Sequence, residues 1–254
     1  MAQSGQHGVP VLLAAGILLA LVVVIGIFSV SAPTAPRDPA GPDAAPVAMS
    51  SVRTAGIRII LPAPVTRGTI SVEEALSGRR SVRKYSPDPL SLSDISQLLW
   101  ASQGITGAQG FRTTPSAGAV YPLEIYVAAG NVTGLPAGVY HYLPASHALE
   151  MVADRDIRTD LCINALNQEP IRDAPAVLLI AADYNRTLQK YGDRGVRYVH
   201  LEAGHAAQNL YLQAYALGEG TVAIGAFDDN GIQTVAGLPP EQVPLYLMPV
   251  GNIR

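Results

Sequence analysis

The chain has 254 residues, a formal net charge of −3 and a single cysteine. Its length leaves room for one sizeable core even if the first fifty or so residues are set aside. The near-neutral charge, with no zinc-finger spacing or basic recognition helix, argues against nucleic acid as a partner, and one thiol rules out an internal disulfide or a thiolate metal site. Residues 1–8 form a tail without lysine or arginine. Residues 9–31 carry no charge and are long enough, as a helix, to cross a hydrocarbon layer of about 30 Å. A transmembrane anchor, or an uncleaved signal, is therefore expected, since the basic n-region of a cleaved signal is missing. Residues 32–58 read as a tether, rich in proline and alanine over their first part. The folded domain is expected over residues 59–254.

Within that domain, Ser71-Val72-Glu73-Glu74 predicts a capping box opening a short helix to Ser77, with Gly78 closing it in the left-handed conformation. Directly after it, Arg79, Arg80, Arg83 and Lys84 surround Ser81. Guanidinium forks bind phosphate oxygens bidentately and a hydroxyl can complete the shell, although such a run alone reads as readily as a solvated basic face. Ser91 opens a second helix, in which Ile95, Leu98, Leu99 and Ser102 recur at helical spacing before Gly104. Leu98, Leu99 and Trp100 are expected in the core.

Short apolar runs predict strands over Leu123–Ala129, Gly138–Tyr142, Leu149–Ala153, Ala176–Ala182, Thr221–Ala226 and Leu245–Val250. Between them, Tyr198–Leu217 is the longest helical pattern. It is apolar nearly all round and ended by Gly218, as for a helix at the centre of a core or in a subunit interface. Elements mix without regular alternation, so an α+β domain follows. The stretch His200-Leu201-Glu202-Ala203-Gly204-His205 has the look of a metal motif. Helical positions five apart diverge by about 140°, so the two histidines share no face, and no metal site is expected. Glu202 and His205, three apart, share a face and can form a buried polar pair.

Six ordered runs, RRSVRKY, QLLWASQGIT, PSAGAVYPLEIY, GVYHY, KYGDRGVRYVHLEAGHAAQNLYLQA and IGAFDD, resemble the nitroreductase superfamily, and most nearly its SagB/ThcOx-type dehydrogenase branch. The likeness spans about Ile59 to Gly251. It implies a central, mainly antiparallel sheet flanked by helices and an intimate homodimer with FMN at the shared interface. On that pattern Arg79, Arg80, Ser81 and Arg83 would hold the flavin phosphate and ribityl chain. Pro115, Ser116, Ala117 and Gly118 would lie along the flavin of the partner subunit. Ala119 stands where many nitroreductases have asparagine. Ile224, Gly225 and Ala226 match the strand whose backbone faces flavin N5, and Gly225 replaces the glutamate of some relatives.

Lys190 and Tyr191 fall where azoline-oxidising members carry a proton-removing pair. Read without the family, Lys190 sits on a solvated loop with Tyr191 packed on it. Joined to the expected anchor, the resemblance implies a membrane-tethered, FMN-dependent oxidoreductase with a ping-pong cycle, NAD(P)H as a candidate donor, and a small-molecule or peptide substrate. One alternative is an azoline oxidase acting on a modified peptide; another is a non-catalytic flavin-binding or redox-sensing module. Leu61-Pro62-Ala63-Pro64 resembles the opening of short members that follow signal-like sequences. That implies an extracytoplasmic domain, against the weak cytoplasmic bias of Arg37, Arg53 and Arg58.

Overall fold

The computed structural model of the protein describes residues 56–254. The expected tail, the anchor and the tether up to residue 55 lie outside them. Strand β1 (Arg58–Ile60) opens the domain, and α1 (Val72–Gly78) follows, with Ser71 accepting the Glu74 N–H. The expected left-handed stop at Gly78 is not formed: Gly78 is the last helical residue, and Arg79 ends the helix with extended φ/ψ. Gly78 is needed for space, because a Cβ there would fall 2.2 Å from the Tyr215 ring.

A two-residue strand, β2 (Leu90–Ser91), leads into α2 (Leu92–Gln103). Here the capping box is complete, Ser91 and Asp94 each satisfying the other's backbone N–H. Leu98 and Leu99 are buried, while Trp100 stays half-buried. Next come β3 (Leu123–Ala129), β4 (Val132–Thr133), β5 (Gly138–Leu143), β6 (Ala148–Ala153), α3 (Arg158–Asn164) and α4 (Glu169–Asp173). The chain then runs through β7 (Ala176–Asp183), α5 (Tyr184–Tyr191), α6 (Arg194–Leu217), β8 (Glu219–Thr221), α7 (Asp229–Ala236) and β9 (Gln242–Asn252).

Seven strands form one sheet in the order β1-β6-β5-β3-β7-β9-β8, antiparallel at every junction. Strand β7 lies inside it, and its run Ala-Val-Leu-Leu-Ile-Ala-Ala is buried on both faces, which is why it shows no polar alternation. On one face Ile125, Leu178, Ile180 and Met248 pack with Leu98, Val199 and Leu210 of α2 and α6. On the other, Tyr126, Val177, Leu179 and Leu247 meet Leu161, Ile171 and Ile232 of α3, α4 and α7. Helices thus cover both faces of an antiparallel sheet, the α+β architecture expected.

Two further expectations need correction. Thr221–Ala226 is not a continuous strand: β8 ends at Thr221, and beyond it only Ile224 pairs, exchanging N–H and C=O with Leu247 at 2.9 Å each way. No helix among the described residues is long and apolar enough to cross a membrane. Even α6, with 24 residues, carries Arg194, Arg197 and Glu202. The membrane and transmembrane assignments, and the extracytoplasmic placement built on them, are corrected accordingly; the span expected at residues 9–31 lies outside the described residues.

Candidate functional site

The basic run is fastened to the edge of the sheet. Ser81 bridges Thr221, the Val82 N–H donates to Thr221 O at 2.9 Å, and Tyr85 bridges Ile253. A Cβ on Gly220 would strike Val82 at 2.6 Å, so glycine lets the two backbones meet. Arg79 lies over the Tyr211 ring at 5.2 Å, and Arg80 folds back to the carbonyls of Ser77 and Arg79. Ser81, Arg83 and Lys84 are exposed.

Tyr211, on the inner side of α6, joins this run to the segment after β8. Its hydroxyl stands 3.0 Å from Ser81 Oγ and accepts the Ala223 N–H at 2.8 Å. Immediately beyond, Ile224 spends its N–H on Leu247, whereas Gly225 and Ala226 are exposed with no protein acceptor for their N–H groups among the described residues. The Ala226 carbonyl accepts from Gln168 Nε2 at 2.9 Å. Of the expected backbone donors, then, Gly225 and Ala226 are available and Ile224 is not.

A second group of candidates gathers nearer the start of α6. Thr114, fully buried, donates to Ser102 O and accepts from Asn209, which pins the chain just ahead of the Pro115–Gly118 loop. Within and after that loop Gly118, Ala119 and Tyr121 have φ of 63°, 55° and 53°. Two non-glycine residues held left-handed so close together concentrate backbone strain at this loop. The Tyr121 N–H donates to Ser116 Oγ at 2.9 Å and stabilises the bend.

Helix α5 presents the lysine and tyrosine to the same loop. Asp183 caps it through the Asn185 N–H, and Arg186 bonds both Tyr121 O and the Glu124 carboxylate. Burial pushes Glu124 up, but His141 and Arg186 outweigh it and hold the carboxyl below its ordinary range. At the far end of α5, Lys190 Nζ donates to Gly118 O at 3.2 Å. A Cβ on Gly118 would fall 2.4 Å from both Lys190 Nζ and the Tyr191 hydroxyl. Tyr191 packs edge-on against Tyr198, their ring centroids 5.0 Å apart.

A cavity of about 240 Å3 lies between Pro115, Ser116 and Ala117 and the α6 residues Tyr198, Leu201, Glu202 and His205. Glu202 is buried but His205 is exposed, and no hydrogen bond joins them, so the expected buried pair is not formed. The face of α6 here is open: Leu201 is 55 % exposed and a Cβ on Gly204 would meet nothing within 4 Å.

The structure therefore brings the candidates together as two clusters, not one. The basic run meets Tyr211 through Arg79 and Ser81, and the segment leading into Ile224–Ala226 meets it through Ala223, while Pro115–Gly118, Lys190 and Tyr191 converge near Tyr198–Glu202. Tyr211 lies nine positions after Glu202 on α6, about 14 Å along its axis. Tyr211 and Asn209 did not stand out in the sequence, because both sit in a helix whose pattern reads as core.

The model of the nitroreductase family matches residues 76–252. A Methanocaldococcus jannaschii protein named for the nitroreductases is 51 % identical over 183 residues, covering 72 % of this chain and 91 % of that one. The Escherichia coli microcin B17-processing protein McbC is 30 % identical over 149 residues, 56 % of this chain, which spans only 55 % of McbC. A crystal structure from Anabaena variabilis, also named for the nitroreductases, superposes with a TM-score of 0.69 at 31 % identity. That match covers 78 % of this chain and 42 % of the longer Anabaena chain. With its sheet order, its two site clusters and these matches, the chain belongs to the nitroreductase family, on its SagB-like branch.

Proposed function

We propose that this nitroreductase-family oxidoreductase uses FMN and works as a homodimer in a ping-pong cycle. The observation that carries this reading is the convergence on Tyr211 of a cationic run with two unspent backbone N–H groups, 14 Å or so along α6 from a strained small-residue loop. The residues fit the cofactor. Arg79, Arg80, Ser81 and Arg83 offer charge and donors for a phosphate; Gly225 and Ala226 offer N–H groups for a ring nitrogen. Gly118 and Ala117 allow close approach to a flat ring. As the family resemblance implies, a second copy supplies the loop that faces each flavin. The open face of α6 around Leu201 and Gly204 suits that contact.

When bound, FMN supplies a two-electron acceptor and donor. The chain's own residues hold the phosphate, hold the ring edge through backbone donors, and screen it from water with the Pro115–Gly118 loop. The direct test is the visible spectrum of the purified protein before and after anaerobic NADH, NADPH and dithionite. Flavin bleached by a nicotinamide supports the reading with NAD(P)H as donor; flavin bleached by dithionite alone leaves a passive binder or another donor. A colourless protein that cannot be reconstituted with FMN sinks the proposal.

A second reading narrows the substrate to an azoline ring in a modified peptide. It is favoured by the place of Lys190 and Tyr191, both against Gly118, and by the likeness to McbC, whose name records microcin B17 processing. In that reaction the ring carbon loses a proton to the Lys190–Tyr191 pair while two electrons leave with the second hydrogen. Lys190 is exposed in the single chain, so its desolvation falls to the bound flavin and the second copy. Unchanged turnover of a thiazoline test peptide by Lys190→Ala and Tyr191→Phe would remove this reading and leave the first untouched.

A further inference from the structure

Glu202 has no part in the scheme above, yet it is the most unusual group near the loop. It is 3 % exposed and its Oε1 has no hydrogen-bond partner, nor has the neighbouring Gln103 Nε2. It is aimed into the cavity that Pro115, Ser116 and Ala117 close from the other side. Arg112 acts on it only through its charge: the guanidinium donates to Gln103 Oε1 at 2.8 Å and lies over the Tyr121 ring at 4.6 Å, and makes no hydrogen bond to the Glu202 carboxyl.

The groups that face the carboxyl can be named from each element around it. Gln103 comes from α2, Arg112 from the loop after it, Ser116 from the strained loop, and Tyr198 and His205 from α6 itself. Behind Arg112 stand Tyr121, Glu124 and Arg186. Burial pushes Glu202 up, and although Ser116, Arg112 and Gln103 all favour the ionised form, its pKa is held at about 7. Ser116 accepts the Tyr121 N–H on its oxygen and so keeps its own hydrogen free to turn toward Glu202 or toward the outer side of the loop.

From this geometry we infer that Glu202 gains and loses a proton through the cavity it lines, in step with the charge of whatever lies along the Pro115–Gly118 loop. The inference rests on the flavin reading. When a donor places two electrons on a flavin at that loop, the added negative charge favours the neutral carboxyl, and the Glu202 carboxylate takes one proton from water. When the electron acceptor removes those electrons, the proton returns to water. The O–H bond of the carboxyl is the only bond at Glu202 that forms and breaks. A buried carboxyl is suited to this because charges interact strongly across a medium poor in water.

The test uses the full chain loaded with FMN and compares reduced-minus-oxidised infrared spectra between pH 7 and 8. A carboxylic-acid C=O band that appears on reduction and is missing from Glu202→Gln is the expected result. Flavin reduction in the wild type should also take up about half a proton more at pH 7 than in that variant. Ser116→Ala keeps the carboxyl but removes a group favouring its ionised form, so the band's pH midpoint should move upward; this holds the test open if Glu202→Gln does not fold. FMN reduced normally with no such band, with the same band in Glu202→Gln, or with an unmoved midpoint in Ser116→Ala overturns the inference alone. A chain that binds no FMN overturns it together with the flavin reading.

Discussion

The Lys190 ammonium donates to the Gly118 carbonyl oxygen across 3.2 Å, joining the end of α5 to the left-handed part of the Pro115–Gly118 loop. Arg186, one turn earlier, holds Tyr121 O at 3.1 Å. The loop and the Lys190–Tyr191 pair are thus set by one helix, so their relative position does not depend on loop flexibility.

Replacing Lys190 with alanine removes the candidate base and leaves the basic run intact. Turnover of a substrate that must lose a proton should fall by about 100-fold to 10,000-fold, while the bound-flavin spectrum stays as in the wild type. Steady-state kinetics and absorption on the same sample check both halves.

Gly118→Ala puts a Cβ on a residue at φ 63°, where it meets Lys190 Nζ and the Tyr191 hydroxyl. The left-handed backbone alone costs about 1 kcal/mol, to be read from urea midpoints. Both side chains must also move aside, so activity should drop further than stability does.

Tyr211→Phe leaves the Ala223 N–H without its acceptor and frees Ser81 from α6. A loss of about 1 to 2 kcal/mol is expected. On the FMN reading, FMN affinity should weaken more than riboflavin affinity, because the basic run proposed to hold the phosphate loses its tie; equal weakening of both would contradict this.

Much of this arrangement was legible in the sequence. The unbroken apolar run of β7, the Ser91–Asp94 capping box and the Gly218 stop of α6 appear where their residue chemistry puts them. Which face of α6 is open was not legible, because its alanines and glycines, found on both the buried and the open sides, mark neither inside nor outside. Only the placed neighbours show Leu201 and Gly204 to be uncovered. Tyr211 escaped notice for a related reason: an aromatic in an apolar helix reads as core, and its partner Ser81 lies 130 positions away. The segment after β8 has strand-like residues, but composition could not show that the ladder would stop and leave two N–H groups unspent.

Stability should also depend on pH through Glu219. It is 4 % exposed with Oε2 unpartnered, and burial, then the Asp94 charge, push its carboxyl up to about 8 from an ordinary 4.5. The folded chain binds this proton more tightly than the unfolded one. Its contribution is therefore fully present below about pH 4.5 and is lost as pH rises through 8. Urea midpoints from pH 5 to 8 should fall less steeply in Glu219→Gln, a difference on the order of a few kcal/mol over the range. Parallel curves for the two proteins would contradict this.

The basic run lies early in the domain, yet Tyr85 donates to Pro249 O across 164 positions and bridges Ile253. A ribosome moving at about 5 to 20 residues per second leaves those arginines waiting roughly 10 to 30 s for their platform. A chain stalled before its final strand lacks this anchorage of the basic run, so, on the FMN reading, a yellow colour would mark polypeptides whose synthesis has reached that strand.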